Sequence, residues 1–185
     1  YNSDVSIENS KFIENLNGDD YLNIVSSNFE IKDVHFSNIR SDAIDFDFSK
    51  GRIDNISIIT SNNDGLDFSG STVDIKNILI KDIGDKAISA GEKSAIKISN
   101  LKIDNVNIAV ASKDLSKVEL KNIKISNSKI AIIAYQKKPE YGPAYIEIDG
   151  IILKKVSTDF LAEKKSQILI NDIKISPTKL DYSKF

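Results

Sequence analysis

One short pattern recurs along the chain: apolar, any residue, Asn, apolar, any residue, apolar. It reads Ile53-Asp54-Asn55-Ile56-Ser57-Ile58, Ile75-Lys76-Asn77-Ile78-Leu79-Ile80, Ile98-Ser99-Asn100-Leu101-Lys102-Ile103 and Leu120-Lys121-Asn122-Ile123-Lys124-Ile125. Weaker copies start at Ile7, Ile31, Ile148 and Ile170. From Asn9 through Asp33, Asn55, Asn77, Asn100, Asn122 and Gly150 to Asp172, the steps are 24, 22, 22, 23, 22, 28 and 22 residues. A period near 22 that tolerates insertions is the mark of a solenoid. Each unit alternates Ile and Val with polar residues, and none holds an amphipathic stretch long enough for a helix. The Leu spacing of a leucine-rich repeat is absent. The chain is therefore expected to be all-β, with about eight stacked coils.

One coil reads as three short strands joined by corners. Val73-Asp74-Ile75 forms the first, Ile78 and Ile80 point inward from the second, and Ala87 belongs to the third, after Gly84. Coils stacked as parallel sheets lie about 4.8 Å apart, which gives a rod of roughly 35–40 Å. Like side chains then stack into a core that no single coil could bury. Asn, Asp and Gly share tolerance of the left-handed backbone region, so their column marks a tight corner. The β-coil domain is assigned to residues 1–175. Residues 136–143, rich in Pro and Gly, read as an inserted surface loop. Residues 176–185 break the repeat as a C-terminal tail or cap.

This arrangement resembles the right-handed parallel β-helix of the pectate lyase-like superfamily. The resemblance rests on the Asn column, the x-Ile-x-Asn-Ile-x-Ile units and the stretch Asn63-Asp64-Gly65-Leu66-Asp67. It implies polysaccharide lyases, hydrolases and epimerases, or tailspikes, adhesins and non-catalytic surface modules. A bacterial, extracellular or cell-surface setting is expected with it.

Composition narrows the function classes. The net charge of −2 leaves no electrostatic footprint for nucleic acid. The absence of Cys excludes disulfides and thiolate chemistry. The longest apolar run, residues 130–135, is too short to span a bilayer. The chain holds no Met and begins at Tyr1. It is expected to be a fragment of a longer protein, with a missing N-terminal domain as one partner.

Acidic residues gather after the second strand. One column is expected to hold Asp20, Asp42, Asp64 and Asp85. A second holds Asn23, Asp45, Asp67 and Ser89, then Ala111 and Ile133, with Asp47 on the same outward face. Stacked carboxylates raise one another's pKa, so a purpose is sought. Asp42, Asp45, Asp64 and Asp67 form a candidate Ca²⁺ site, Ca²⁺ being the one cofactor considered. Asp45 and Asp67, with Lys113, form a candidate catalytic set on a glycan. The alternative is structural: Asp accepts turn amides or is simply solvated, and this reading is preferred for the first column. Asp47, Lys86, Tyr135, Gln136 and Lys137 are candidate substrate-binding residues, and Tyr135 and Tyr141 candidate sugar-stacking rings. Phe12, Phe29, Phe36, Phe46 and Phe68 are assigned to the core, and His35 to the surface.

The catalytic sets of this fold are incomplete here. No His-Gly or Asp-Pro-His motif occurs, and Arg40 and Arg52 fall outside the acidic columns. The favoured reading is a non-catalytic surface module that binds carbohydrate or protein, or acts as a spacer. The alternative is a polysaccharide-acting enzyme using the acidic groove.

Overall fold

The computed structural model describes residues 1–15 and 17–180; the end of the expected tail, 181–185, lies outside the described residues. These residues form a parallel β-solenoid of about eight turns spaced by about 22 residues. The strands are β1 (Asp4–Glu8), β2 (Lys11–Asn15), β3 (Asp20–Val25), β4 (Asn28–Ile39), β5 (Asp42–Asp47), β6 (Lys50–Ser61), β7 (Leu66–Ser69), β8 (Thr72–Gly91), β9 (Ala95–Lys113), β10 (Lys117–Tyr135), β11 (Tyr145–Ala162), β12 (Gln167–Ile170) and β13 (Ile173–Lys174). Pairing is parallel from β1 to β12. The register partners Asp4↔Asn28↔Lys50↔Thr72↔Ala95↔Lys117↔Tyr145↔Gln167 reproduce the Asn steps, including the long one. From β8 to β11 the ladder continues through the corners, so the expected short strands merge into bent strands of 18–20 residues. No helix long and apolar enough to cross a membrane is present among the described residues.

Alternation along each strand sends one side chain in two to the core. Ile31, Ile53, Ile75, Ile98, Leu120 and Ile148 are buried and stack coil upon coil. Phe29, Phe46 and Phe68 form a buried aromatic run, with ring centroids 4.6 Å apart for the first pair and 5.0 Å for the second. Phe12 lies 4.7 Å from Phe36, nearly parallel to it. Gly51 makes room for this packing, because a Cβ there would lie 2.6 Å from the Phe29 ring.

The Asn column is a corner, as its residue types imply. Asn55, Asn77, Asn100 and Asn122 all have φ between 52° and 58°, and Gly150 has φ 80°. Their amides run along the stack: Asn100 Nδ2 donates to Asn77 Oδ1 at 2.9 Å, and Asn122 Nδ2 to Asn100 Oδ1 at 2.8 Å. A second left-handed corner runs through Asn38, Thr60, Asp82, Asn105, Asn127 and Lys155.

The third corner carries a buried serine ladder. Ser49 Oγ accepts the Ser27 amide at 3.1 Å, Ser71 Oγ the Ser49 amide at 2.9 Å, and Ser94 Oγ the Ser71 amide at 3.1 Å. Ser71 Oγ also lies 2.9 Å from the Phe46 carbonyl, to which it can donate. Ser71→Ala therefore strands a buried amide and a buried carbonyl together. The expected loss is about 1–3 kcal/mol of unfolding free energy, measured by urea denaturation. A loss under about 0.5 kcal/mol would show that the ladder is idle, since that is the least a made hydrogen bond contributes.

The outward side of the first sheet forms a broad concavity of about 780 Å³. Its charges alternate along the stack as Glu30, Arg52, Asp74, Lys97 and Glu119, and beside them Lys32, Asp54 and Lys76. Lys97 pairs with Glu119 at 3.2 Å and Lys121 with Asp149 at 3.4 Å. Acids and bases here neutralise one another, so size alone does not make this groove the chemical site.

The inserted loop is tied down. Asp114 Oδ1 accepts the amides of Lys137 and Lys138, each at 2.7 Å. At the C-terminal end β13 pairs antiparallel with β12. The chain then returns along the outside: the Thr178 amide donates to the Ala162 carbonyl at 2.7 Å. Leu180 packs on an outer apolar cluster of Ile108, Ala111, Ile133 and Tyr135.

Candidate functional site

The acidic columns lie on the outward side of the strands that follow the second corner. The inward alternation of Ile44, Phe46, Leu66, Phe68, Ile88 and Ala90 leaves the intervening residues pointing out. Register partners then align Asn23, Asp45, Asp67, Ser89, Ala111, Ile133 and Leu161 as one column, as expected. A neighbouring column holds Asp47 and Ser69, then Gly91, and ends with Lys113 beside Tyr135.

The first column differs from expectation at its fourth place. Asp20, Asp42 and Asp64 follow one another, but Lys86 comes next, not Asp85. The Asp64 amide donates to Asp42 Oδ1 at 2.7 Å, and the Lys86 amide to Asp64 Oδ1 at 2.9 Å. The Lys86 ammonium lies 3.5 Å from Asp64 Oδ1 and also pairs with Asp85. A counterion thus follows the stacked acids. Asp85 sits one residue earlier, where its amide donates to the Asn63 carbonyl at 3.1 Å.

The face changes character along the axis: acidic in the first three coils, cationic in the next two, apolar beyond. Burial is the leading influence on its titrating groups. It raises the Asp45 carboxyl to about 7, with Asp47, Asp67, Asp20 and Asp42 adding repulsion. Burial also raises Asp64 to about 6 against the opposing pull of Lys86. Asp42 and Asp47 are raised chiefly by burial too. For Lys86 burial works against the charge, but Asp64 and Asp85 overcome it and the pKa is raised. Burial lowers Lys113, with Asp67 opposing and Lys86 reinforcing. It pushes the Tyr135 hydroxyl up to about 12.

One polar group here has no ordinary account, and a largely buried lysine lies one coil beyond it. Ser89 Oγ is fully buried and finds no hydrogen-bond partner among the described residues. It stands between Asp67 and Ala111 in the outward column. Lys113, only 9 % exposed, lies across the bare backbone of Gly91. No carboxylate among the described residues comes within ion-pairing distance of its ammonium. Buried polar groups are normally satisfied, and exceptions call for an explanation.

The remaining candidates separate. Asp42, Asp45, Asp64 and Asp67 do not converge on one point, and no three carboxylate or imidazole groups among the described residues come together to hold a metal ion. Asp42 Oδ1 and Asp64 Oδ1 are instead occupied by backbone amides, as the turn reading expects. Tyr135, expected as an exposed stacking ring, is 4 % exposed, because the outer cluster and Leu180 enclose it. Gln136 Nε2 donates within the inserted loop, to the Tyr141 carbonyl at 2.7 Å and the Lys138 carbonyl at 3.2 Å. Lys137 is exposed on the same loop. Tyr141 lies under the Lys93 ammonium, 5.8 Å from its ring centre. His35, half-buried on the second strand, shares a 2.7 Å hydrogen bond with Ser57 Oγ, away from the acids. Ser89 was visible as a column member, but its full burial was not.

Comparison with protein-family models, curated proteins and solved structures finds no match to this chain.

Proposed function

We propose that this outward face binds carbohydrate and that the protein is a non-catalytic surface module. One observation carries the reading. An unpartnered buried hydroxyl, Ser89, adjoins Asp67 in the outward column, which continues one coil back to Asp45, a carboxyl that keeps its proton near neutrality, while the largely buried Lys113 lies one coil beyond Ser89. Sugars offer dense hydroxyls that donate and accept, so they can use an ammonium, a neutral acid and carboxylates at once. Groups with perturbed pKa values gathered on one face also favour a functional site over a solvated one. Membership of the pectate lyase-like superfamily and a secreted or cell-surface setting belong to this proposal. The Asn corner ladder and the parallel coils support them.

A glycan array followed by titration of the hits tests the reading. Asp67→Asn is expected to weaken binding about tenfold or more, since hydrogen bonds to a charged group are worth about 1.5–3 kcal/mol. Melting temperature should not fall. Binding that is indifferent to both Asp67→Asn and Ser89→Ala would remove the site from this face.

The Asp45 proton also favours a second reading, as a glycoside hydrolase. Asp45 would be the general acid and Asp67 the second carboxylate. Equivalent atoms on adjacent strands lie about 4.8 Å apart, close to the roughly 5–5.5 Å of retaining enzymes. Release of reducing sugar that disappears in Asp45→Asn would establish this reading over simple binding. Intact glycan after prolonged incubation would exclude it.

A further inference from the structure

We propose that Phe48 is the platform on which this face receives a pyranose ring, and that its ligands are uncharged glycans rather than polyanionic ones; the proposal rests on the carbohydrate reading above. Phe48 directly follows Asp47, at the corner that ends β5. It is 65 % exposed, whereas its neighbours Phe46 and Phe68 are buried in the core. Its φ is 50°, in the left-handed region. That region suits Gly or Asn and is strongly disfavoured for an aromatic residue. Gly70 takes the equivalent corner one coil on, with φ 61°. The two residues fit together, because a Cβ at Gly70 would lie 2.6 Å from the Phe48 ring. The bare backbone of Gly70 therefore seats one side of the ring, leaving the rest to solvent.

Core packing does not explain a phenylalanine here, and the corner's own conformation argues against one. The corner is left-handed in neighbouring coils too, where it is filled by Ser26, Gly70 and Glu92, so the feature to explain is an exposed phenyl ring in a column of small or polar residues. A phenyl ring has no polar handle, so what it offers is contact with an apolar surface. A pyranose presents such a surface in the C–H groups of its ring face, while its hydroxyls point to the sides. The adjoining strand supplies acceptors for those hydroxyls in Asp47, Asp45 and Asp67, which share the outward face. Charge selects among glycans. Asp20, Asp42, Asp45, Asp47, Asp64 and Asp67 surround the approach, while Glu92, near Asp47, is paired with Lys138. Lys86 already pairs with Asp64 and Asp85, and Lys113 lies further along the stack. A field of one sign at a binding face repels ligands of that sign, so a chain of carboxylated sugars is disfavoured beside Phe48.

The test uses the full chain against immobilised neutral gluco-, manno-, galacto- and xylo-oligosaccharides, with oligogalacturonates as the anionic comparison. Hits are titrated by calorimetry. Binding is expected within the neutral set. Phe48→Ala should weaken it about three- to tenfold, and Phe48→Trp should retain it, as stacking on an aromatic ring requires. Phe48→Asn should weaken it similarly yet melt no lower than the wild-type chain, because Asn accepts the left-handed corner. A merely structural Phe48 would lower the melting temperature instead. Preference for the oligogalacturonates would overturn the ligand class. Neutral binding that needs Asp67 but ignores Phe48→Ala would overturn the platform alone. Absence of binding to every glycan would overturn the carbohydrate reading together with it.

Discussion

Phe46→Ala lowers the unfolding free energy by about 3–5 kcal/mol, the range for emptying an aromatic core position. Phe46 is fully buried and stands between Phe29 and Phe68, stacked on both. Its carbonyl takes the Ser71 hydroxyl. Removing the ring therefore leaves a cavity bounded by two rings whose positions are fixed by their own coils. Relaxation is restricted because each coil is hydrogen-bonded above and below. In a solenoid, stability is a sum of coil and nearest-neighbour terms, so the damage should be directional. Urea denaturation measures the total. Hydrogen exchange should show coils before β5 losing protection before those after β8. A loss below about 1 kcal/mol, less than the typical effect of any core truncation, would mean that the aromatic run is not continuous.

The melting temperature is expected to be higher at pH 5 than at pH 8. Asp45 is held up to about 7 and Asp64 to about 6, against an ordinary 3.8. Below 3.8 both folded and unfolded chains carry these protons. Between 3.8 and about 7 the folded chain keeps protons that the unfolded chain has released. Stability therefore falls as pH rises through that window and levels off above it. Asp42 and Asp47 shift in the same direction. Asp104 and Glu119 are lowered by hydrogen bonds, chiefly from Ser126 and Lys117 respectively, so their contribution is lost in stronger acid. The optimum therefore lies near the ordinary carboxylate range, where the two opposing trends meet, rather than near neutrality. Asp45→Asn at pH 8 should add about 1–2 kcal/mol, less than the full shift implies because the group is partly solvated. It should also flatten the pH dependence between 5 and 8. A melting temperature that is flat or rising over that interval would contradict the assignment.

Architecture was legible because it depends on spacing. The Asn column supplied the period, and its steps recur unchanged in the register from Asp4 to Gln167. The serine ladder carried a comparable signal, with Ser27, Ser49, Ser71, Ser94 and Ser116 spaced by 22, 22, 23 and 22 residues. Serine is common in turns of every kind, so its column does not stand out. The second corner was hidden for a different reason. Thr60 and Lys155 adopt positive φ there because the stack imposes it. In the site, residue type misled where spacing would not have: Asp64 to Asp85 is a step of 21, whereas Lys86 keeps the step of 22. Tyr135 lies on the expected face, but it is buried in an outer cluster on which Leu180, 45 residues away, also packs, and no local pattern reports that. Phe48 was passed over because alternation accounts for Phe46 and says nothing of a corner.

The alternating charges on the first sheet serve as a parity check on assembly. Coils built to one pattern are at risk of stacking on the wrong neighbour, a failure characteristic of repeat proteins. From Glu30 to Glu119 each charge in the native order faces its opposite, Glu30 beside Arg52, Arg52 beside Asp74, Asp74 beside Lys97; the alternation ends where Glu119 meets Glu147. Skip one coil and Glu30 meets Asp74 while Arg52 meets Lys97. Lys32 meets Lys76 in the same error. Columns of like aliphatic residues, such as Ile31, Ile53, Ile75 and Ile98, would accept the mistake; the surface charges oppose it. The chain thus counts its own turns on the outside.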